Sequence, residues 1–250
     1  MTHIRTVVFD FIGTLTSVNG YSLEASTLKL HKAIVDAGFG VSEKNFLEAY
    51  GQAHEKYRII RYQELVEVTN AVWISDALNH LGFKTDPEDA RLKIAVNVFF
   101  EDYLNSLELN PCAKQLLSQL SKRYKLGLIS NFTYAQVIYA ALRRLGINRF
   151  LNAVLVSEDV GWRKPNKKIF EEALRRLGAK SEETVYVGDS PLEDIGGAAA
   201  TGMKTVFVPS QFYTLENLYE SKKRPDLIAT DICELHKIFP EFVKNIQGKT

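Results

Sequence analysis

The feature that most constrains this chain is a recurrence of short, apolar, largely β-branched runs separated by amphipathic helical patterns. The runs are Ile4–Phe9, Lys125–Ile129, Ala153–Val156, Thr184–Val187, Thr205–Val208 and Leu227–Ala229. They read as strands buried on both faces, as in a parallel sheet. The intervening helices have legible ends. Pro111–Tyr124 opens on a proline, which suits a first helical turn. Thr133–Leu145, Pro165–Leu177 and Pro191–Thr201 are followed by Gly146, Gly178 and Gly202, in the usual stop position. Strands alternating with helices of this length predict an α/β fold with a doubly wound, Rossmann-like parallel sheet.

The stretch from 18 to 107 breaks the alternation with four helical patterns and no convincing strand. Ser22–Ala37 closes at Gly38, Ser42 caps a helix to about Tyr57, and a third helix spans Gln63–Leu81 before Gly82. The fourth opens on Asp86-Pro87-Glu88-Asp89, which combines a cap, a proline and carboxylates near the positive helix end. Four helices with short links predict a bundle. The expected division is therefore a core of residues 1–17 and 108–250, with an inserted helical domain at 18–107. A length of 250 residues accommodates both.

With 31 basic and 30 acidic side chains there is no cationic field for nonspecific nucleic-acid binding. No apolar run approaches the roughly 20 residues that span a bilayer, so no membrane partner is expected. A strand-like run beginning at Ile4 leaves no room for a signal peptide, and cytoplasmic residence is the default expectation. Cys112 and Cys233 are far apart in sequence, and neither a disulfide framework nor a zinc site is indicated.

Ligands of parallel α/β sheets bind beyond the carboxyl ends of strands. The first strand ends at Asp10, followed by Phe11-Ile12-Gly13-Thr14. Another ends at Ile129 with Ser130-Asn131 beyond it, and a third ends with Gly188-Asp189-Ser190, Asp194 following one turn later. Lys164-Pro165 opens the helix after Ala153–Val156. An aspartate beside a lysine and a divalent cation stays ionised and can act as a nucleophile. The lysine can offset charge on a phosphate. Singly, each residue is more often a turn, cap or surface residue; the joint occurrence on one edge is what departs from chance.

The runs Val7–Thr16, Leu128–Asn131, Lys164-Pro165 and Gly188–Asp194 resemble the four ordered motifs of the haloacid dehalogenase-like hydrolase superfamily, and the helical block resembles its cap. The resemblance implies Asp10 as nucleophile, forming a covalent aspartyl intermediate that water hydrolyses. It implies that Ser130, Asn131 and Lys164 hold the transferring group, that Thr14 supports the loop and that Asp194 orients its neighbours. Mg2+ would be held by Asp10, Asp189 and the backbone carbonyl of Ile12. Phosphatases of the superfamily usually carry a second aspartate, a general acid–base, at the position of Ile12.

Three readings follow. The first is a Mg2+-dependent phosphatase of a small phosphorylated metabolite, lacking the usual acid. The second is a 2-haloacid dehalogenase, which needs no acid. Against it, Gly188-Asp189 replaces that group's Ser and Asn, and Phe170 replaces its tyrosine. No arginine falls near Gly51–His54, although Arg58 and Arg61 lie one or two turns on. The third is a binding protein without turnover. A phosphonate hydrolase would need Lys44 or Lys56 as a Schiff-base former, and His54 is the one histidine to consider as a surrogate acid. Trp73, Phe99, Phe100 and Tyr103 read as packing residues of the helical block.

Overall fold

The computed structural model describes residues 3–248 of the chain. In chain order, β1 (Thr6–Phe9) is followed by a short β2 (Thr16–Val18), then by helices α1 (Leu23–Asp36), α2 (Glu43–Glu64), α3 (Asn70–His80) and α4 (Ala90–Ser106), and by β3 (Leu107–Leu109). Next come α5 (Ala113–Leu120), β4 (Lys125–Ser130), α6 (Ala135–Arg144), β5 (Ala153–Val156), the single-turn α7 (Ser157–Val160), α8 (Lys167–Leu177) and β6 (Thr184–Gly188). A wide turn at Pro191–Gly196 leads into α9 (Gly197–Ala200), β7 (Lys204–Phe207), α10 (Leu215–Glu220), β8 (Leu227–Ile228) and α11 (Ile232–Gly248).

Six strands form one parallel sheet in the order β5-β4-β1-β6-β7-β8, which places β1 near the middle. Successive residues of a strand point to opposite faces, and β1 shows the consequence. Val7 and Phe9 join the larger core with Leu126, Leu128, Val185 and Val187. Val8 joins a second cluster on the other face with Ile129, Leu155, Phe170 and Tyr186. Every residue of β1 is buried, which is why its Val7–Phe9 run is apolar without alternation. Each such side chain contributes roughly 1.5–3 kcal/mol of transfer free energy.

The doubly wound sheet matches the sequence expectation, with differences in the helical block and at the carboxyl-terminal end. β2 and β3 pair antiparallel at the two ends of the block, where no strand was anticipated. They are only three residues each, too short to leave an alternation signal. The second helix runs on to Glu64, and the third begins at Asn70 instead of Gln63. Between them, Leu65 adopts a left-handed conformation (φ 54°) that ends α2. Within the block α1 packs on α4 and α2 on α3. The long final helix α11, with Pro240 inside it, packs on α5. No helix among the described residues is long and apolar enough to cross a membrane.

Cys112 and Cys233 form a disulfide across 121 residues of sequence, which corrects the reading that none was indicated. Spacing carried no signal because α11 reaches α5 only through tertiary packing. The bond joins the start of α5 to the start of α11. Closing a loop of that length contributes roughly 4–5 kcal/mol in the chain-entropy account. Reducing the protein with dithiothreitol should therefore lower its melting temperature by on the order of 10 °C, and Cys233→Ser should melt like the reduced protein. Identical melting with and without reductant would show the bond is not formed.

Candidate active site

The register of the sheet assembles the site. Phe9 lies level with Leu128 on one side and Val187 on the other, so Asp10 emerges beside Ile129 and Gly188, at the carboxyl ends of β4 and β6. Ser130 closes β4, Asp189 follows β6, and Asp194 sits in the wide turn after it. All are buried, as is Lys164 in the loop before α8.

Lys164 ties the strands together. Its Nζ donates to Asp10 Oδ1 at 2.7 Å, Asp194 Oδ1 at 2.6 Å, the Tyr186 hydroxyl at 3.1 Å and the Ile129 carbonyl at 3.3 Å. Burial alone would lower an ammonium pKa, but Asp10 and Asp194 outweigh it and hold Lys164 well above its ordinary value. The lysine is therefore a permanent positive charge. Asn131 fixes its backbone: the amide oxygen accepts from Lys164 N at 2.7 Å, and Nδ2 donates to Lys164 O at 3.0 Å and Glu193 Oε2 at 3.0 Å.

Oxygens of Asp10, Asp189 and Asp194 lie within 4.8 Å of one another. Asp194 is fully engaged, with Oδ1 accepting from Lys164 and Tyr186 and Oδ2 from Ser190 N at 2.9 Å. Asp189 accepts from Ser210 Oγ at 2.5 Å and more weakly from Thr14 Oγ1 at 3.5 Å. Asp10 Oδ2 is buried with no hydrogen-bond partner. Burial pushes the Asp10 carboxyl up to about 6, with Lys164 opposing the shift. Burial, then the charges of Asp10 and Asp194, push Asp189 up to about 8. Glycine is required at two points here. Gly13 sits at φ +98°, where a Cβ would lie 2.2 Å from Asp189 Oδ2, and a Cβ on Gly188 would lie 2.4 Å from Asp194 Cγ. A crowd of carboxylates with one orphan oxygen and one lysine suits an oxygen-seeking divalent cation and a phosphoryl group.

The helical block reaches this edge through the link between α2 and α3. Val66 pairs with Trp162 as an antiparallel bridge, Glu67 N donates to Gly161 O at 3.0 Å and Arg163 N to Leu65 O at 3.2 Å. The fully buried Glu67 carboxylate meets Arg61, Ser157 Oγ and, at 3.8 Å, Arg163. Ser157 Oγ in turn accepts from Phe132 N at 2.9 Å. A cleft of about 320 Å³ opens between block and sheet edge, with Tyr21, Arg61, Asn70 and Trp73 on one side and Asn131 and Phe132 on the other.

The model of the haloacid dehalogenase-like hydrolases matches residues 4–202. The chain belongs to the haloacid dehalogenase-like hydrolase family. Among similar proteins, a glyceraldehyde 3-phosphate phosphatase of Methanothermobacter thermautotrophicus is 32% identical over 240 residues, covering 94% of this chain and 99% of the relative. A ribulose-1,5-bisphosphate 5-phosphatase of Halopiger xanaduensis is 28% identical, covering 82% and 85%. A 2-haloacid dehalogenase of Pseudomonas syringae pv. Tomato superposes with a TM-score of 0.69 at 23% identity, covering 97% and 99%, a likeness of fold.

Asp10, Thr14, Ser130, Asn131, Lys164, Asp189 and Asp194 all gather at one edge. Ile12, half-buried, packs against the larger core. Phe170 is buried edge-on to Tyr186. Arg58 pairs with Glu55 on the exposed face of α2, and Lys56 with Asp76, away from the cleft. His54 lines the cleft, but burial and then Arg61 lower its pKa, so it is neutral at pH 7 and unsuited to act as an acid. Tyr186, Ser210, Glu67 and Ser157 were missed. Ser210 lies just beyond β7, where the strand-end rule would have found it. Glu67 gave no signal because its segment read as helix.

Asp10 and Asp189 titrate above the 3.8 of a free carboxyl. The folded protein thus holds protons that the unfolded chain releases, a contribution present below pH ~4 and lost as pH rises through about 6 and then 8. Metal-free protein should melt progressively lower from about pH 4 to about pH 8 and level off above, and Mg2+ should raise the melting point far more at pH 8 than at pH 5. Asp189→Asn should flatten this descent. A chelated wild type with a level profile would contradict the arrangement.

Proposed function

We propose that this hydrolase is a Mg2+-dependent phosphatase of a small phosphorylated metabolite, working through an aspartyl phosphate on Asp10. The observation that carries the proposal is the orphan Asp10 Oδ2 beside the Lys164 ammonium. The names of the phosphatase relatives support the reaction class. In this reading residues 18–107 are the cap domain on a core of 1–17 and 108–250.

Asp10 Oδ2 attacks phosphorus; the new O–P bond forms as the ester O–P bond breaks, and the alkoxide departs toward the cleft. Lys164 fixes the other carboxylate oxygen and opposes the negative charge of the phosphoryl group. Ser130, at the end of β4, flanks the transferring group. Asn131 acts chiefly by bracing Lys164, since both ends of its amide are engaged there. Asp194 is saturated by Lys164, Tyr186 and Ser190, so it orients and does not ligate. The cation falls to Asp10, Asp189 and the Ile12 carbonyl; when bound it supplies charge neutralisation among these carboxylates and on phosphoryl oxygens. Water then cleaves the aspartyl phosphate, returning the carboxylate and releasing inorganic phosphate.

Isoleucine at position 12 gives the leaving oxygen no proton, so the departing alkoxide is protonated by bulk solvent as it leaves the site. The dehalogenase reading has less support: the relatives that match over most of the chain at 28–32% identity are named phosphatases, and the cleft guanidinium of Arg61 is already matched by Glu67. Intact nucleophile geometry also argues against a protein without turnover. Cytoplasmic residence belongs to this proposal on the metabolic character of the substrate class; the Cys112–Cys233 bond pulls the other way, since such bonds are uncommon in reducing compartments.

The test is phosphate release from a panel of phosphate esters with Mg2+ and with chelator. Release should require the metal and vanish in Asp10→Asn. Metal-independent halide release from 2-chloropropionate, with no phosphate release, would overturn the proposal. Ile12→Asp should raise turnover of alkyl phosphates, within ~10²–10⁴ for general acid catalysis, and that of aryl phosphates much less. Equal response of both classes would show that position 12 is not a vacant acid position.

A further inference from the structure

Asn70 opens α3 in the wall of the cleft, next to the link that docks on the core. It is 3% exposed, and its Oδ1 has no hydrogen-bond partner. The cap position before it, Thr69, makes no side-chain cap bond. Leaving a buried amide oxygen unpaired costs roughly 1–3 kcal/mol, and native interiors rarely retain such groups. The surroundings decide what can pair with it. Trp73 and Tyr103 give apolar walls, and burial holds the Tyr50 hydroxyl at about 12, hence neutral. Arg61 is charge-matched by the fully buried Glu67, while His54 is neutral. The cleft wall therefore holds an unused acceptor on Asn70, an unused donor on Trp73, whose buried Nε1 has no hydrogen-bond partner, and no uncompensated cation.

Resting on the phosphatase reading, we propose that Asn70 is a specificity-determining residue whose Oδ1 accepts a hydrogen bond from a hydroxyl on the organic half of the ester, and that the substrate class is short, neutral, hydroxylated phosphate esters. A carboxylate at that position has no proton to give Oδ1 and meets no free positive charge. An unsubstituted alkyl chain leaves Oδ1 unpaired. Sites built to hydrogen-bond a substrate hydroxyl reject analogues lacking it for this reason.

The experiment compares kcat/KM for glycerol phosphate, n-propyl phosphate and 3-phosphoglycerate in the wild type, in Asn70→Leu and in the smaller Asn70→Ser, each checked for folding by thermal melting. Wild type should favour glycerol phosphate over both others by about tenfold or more, as one hydrogen bond in a dry site provides. The ratio of glycerol to propyl phosphate should collapse toward one in Asn70→Leu and be partly kept in Asn70→Ser, a readout that a merely structural role would not move. Equal use of glycerol and propyl phosphates by wild type means that Oδ1 holds only water, and overturns the inference. An unchanged ratio in a folded Asn70→Leu overturns it as well. Absence of phosphate release from every ester, p-nitrophenyl phosphate included, sinks the phosphatase reading itself, so the two failures are distinguishable.

Discussion

A single buried ammonium, that of Lys164, sets the terms for the rest of the structure. Taking it out of water costs several kcal/mol, and it is offset only because Asp10, Asp194, Tyr186 and the Ile129 carbonyl surround it. Those partners come from β1, from β4, from β6 and from the turn beyond it, so the sheet must have its β4-β1-β6 order for the charge to be tolerated. In return the lysine limits the rise of Asp10 caused by burial and keeps that carboxyl largely ionised at neutral pH. Asp189 has no such partner at close range and stands far above its ordinary value. The divalent cation proposed for this edge would return Asp189 to its ionised form.

The second constraint is mechanical. The loop that carries Lys164 is paired with the 65–67 link of the helical block and pinned by Asn131. Glu67 connects that link to Arg61, Arg163 and Ser157, and through Ser157 to the backbone of Phe132, just beyond Ser130. Cleft wall and catalytic loops therefore share one hydrogen-bonded frame. Residues proposed to meet the organic half of the substrate and residues proposed to meet its phosphate are thus positioned together, which fits a small substrate held by both ends.

The sheet was legible because buried parallel strands leave short apolar runs, and the site because its residues sit at the ends of those runs. What escaped was set by tertiary contact. The Cys112–Cys233 pair depends on α11 docking against α5. The break between α2 and α3 depends on Leu65 adopting a left-handed turn so that Val66 can meet Trp162, within a segment whose own pattern continues as helix. Tyr186 reads as a strand residue, and only the register shows its hydroxyl between Lys164 and Asp194. Trp73 and Phe100 were read as packing residues; both are buried and also line the cleft.

The central claim is that Asp10 becomes covalently phosphorylated. The most direct measurement is an acid quench during turnover with Mg2+ and a phosphate ester, followed by proteolysis and mass spectrometry of the peptides. The account predicts a phosphoryl adduct confined to the peptide that contains Asp10, lost on treatment with hydroxylamine. Steady turnover with no adduct there, or an adduct on another residue, would contradict it.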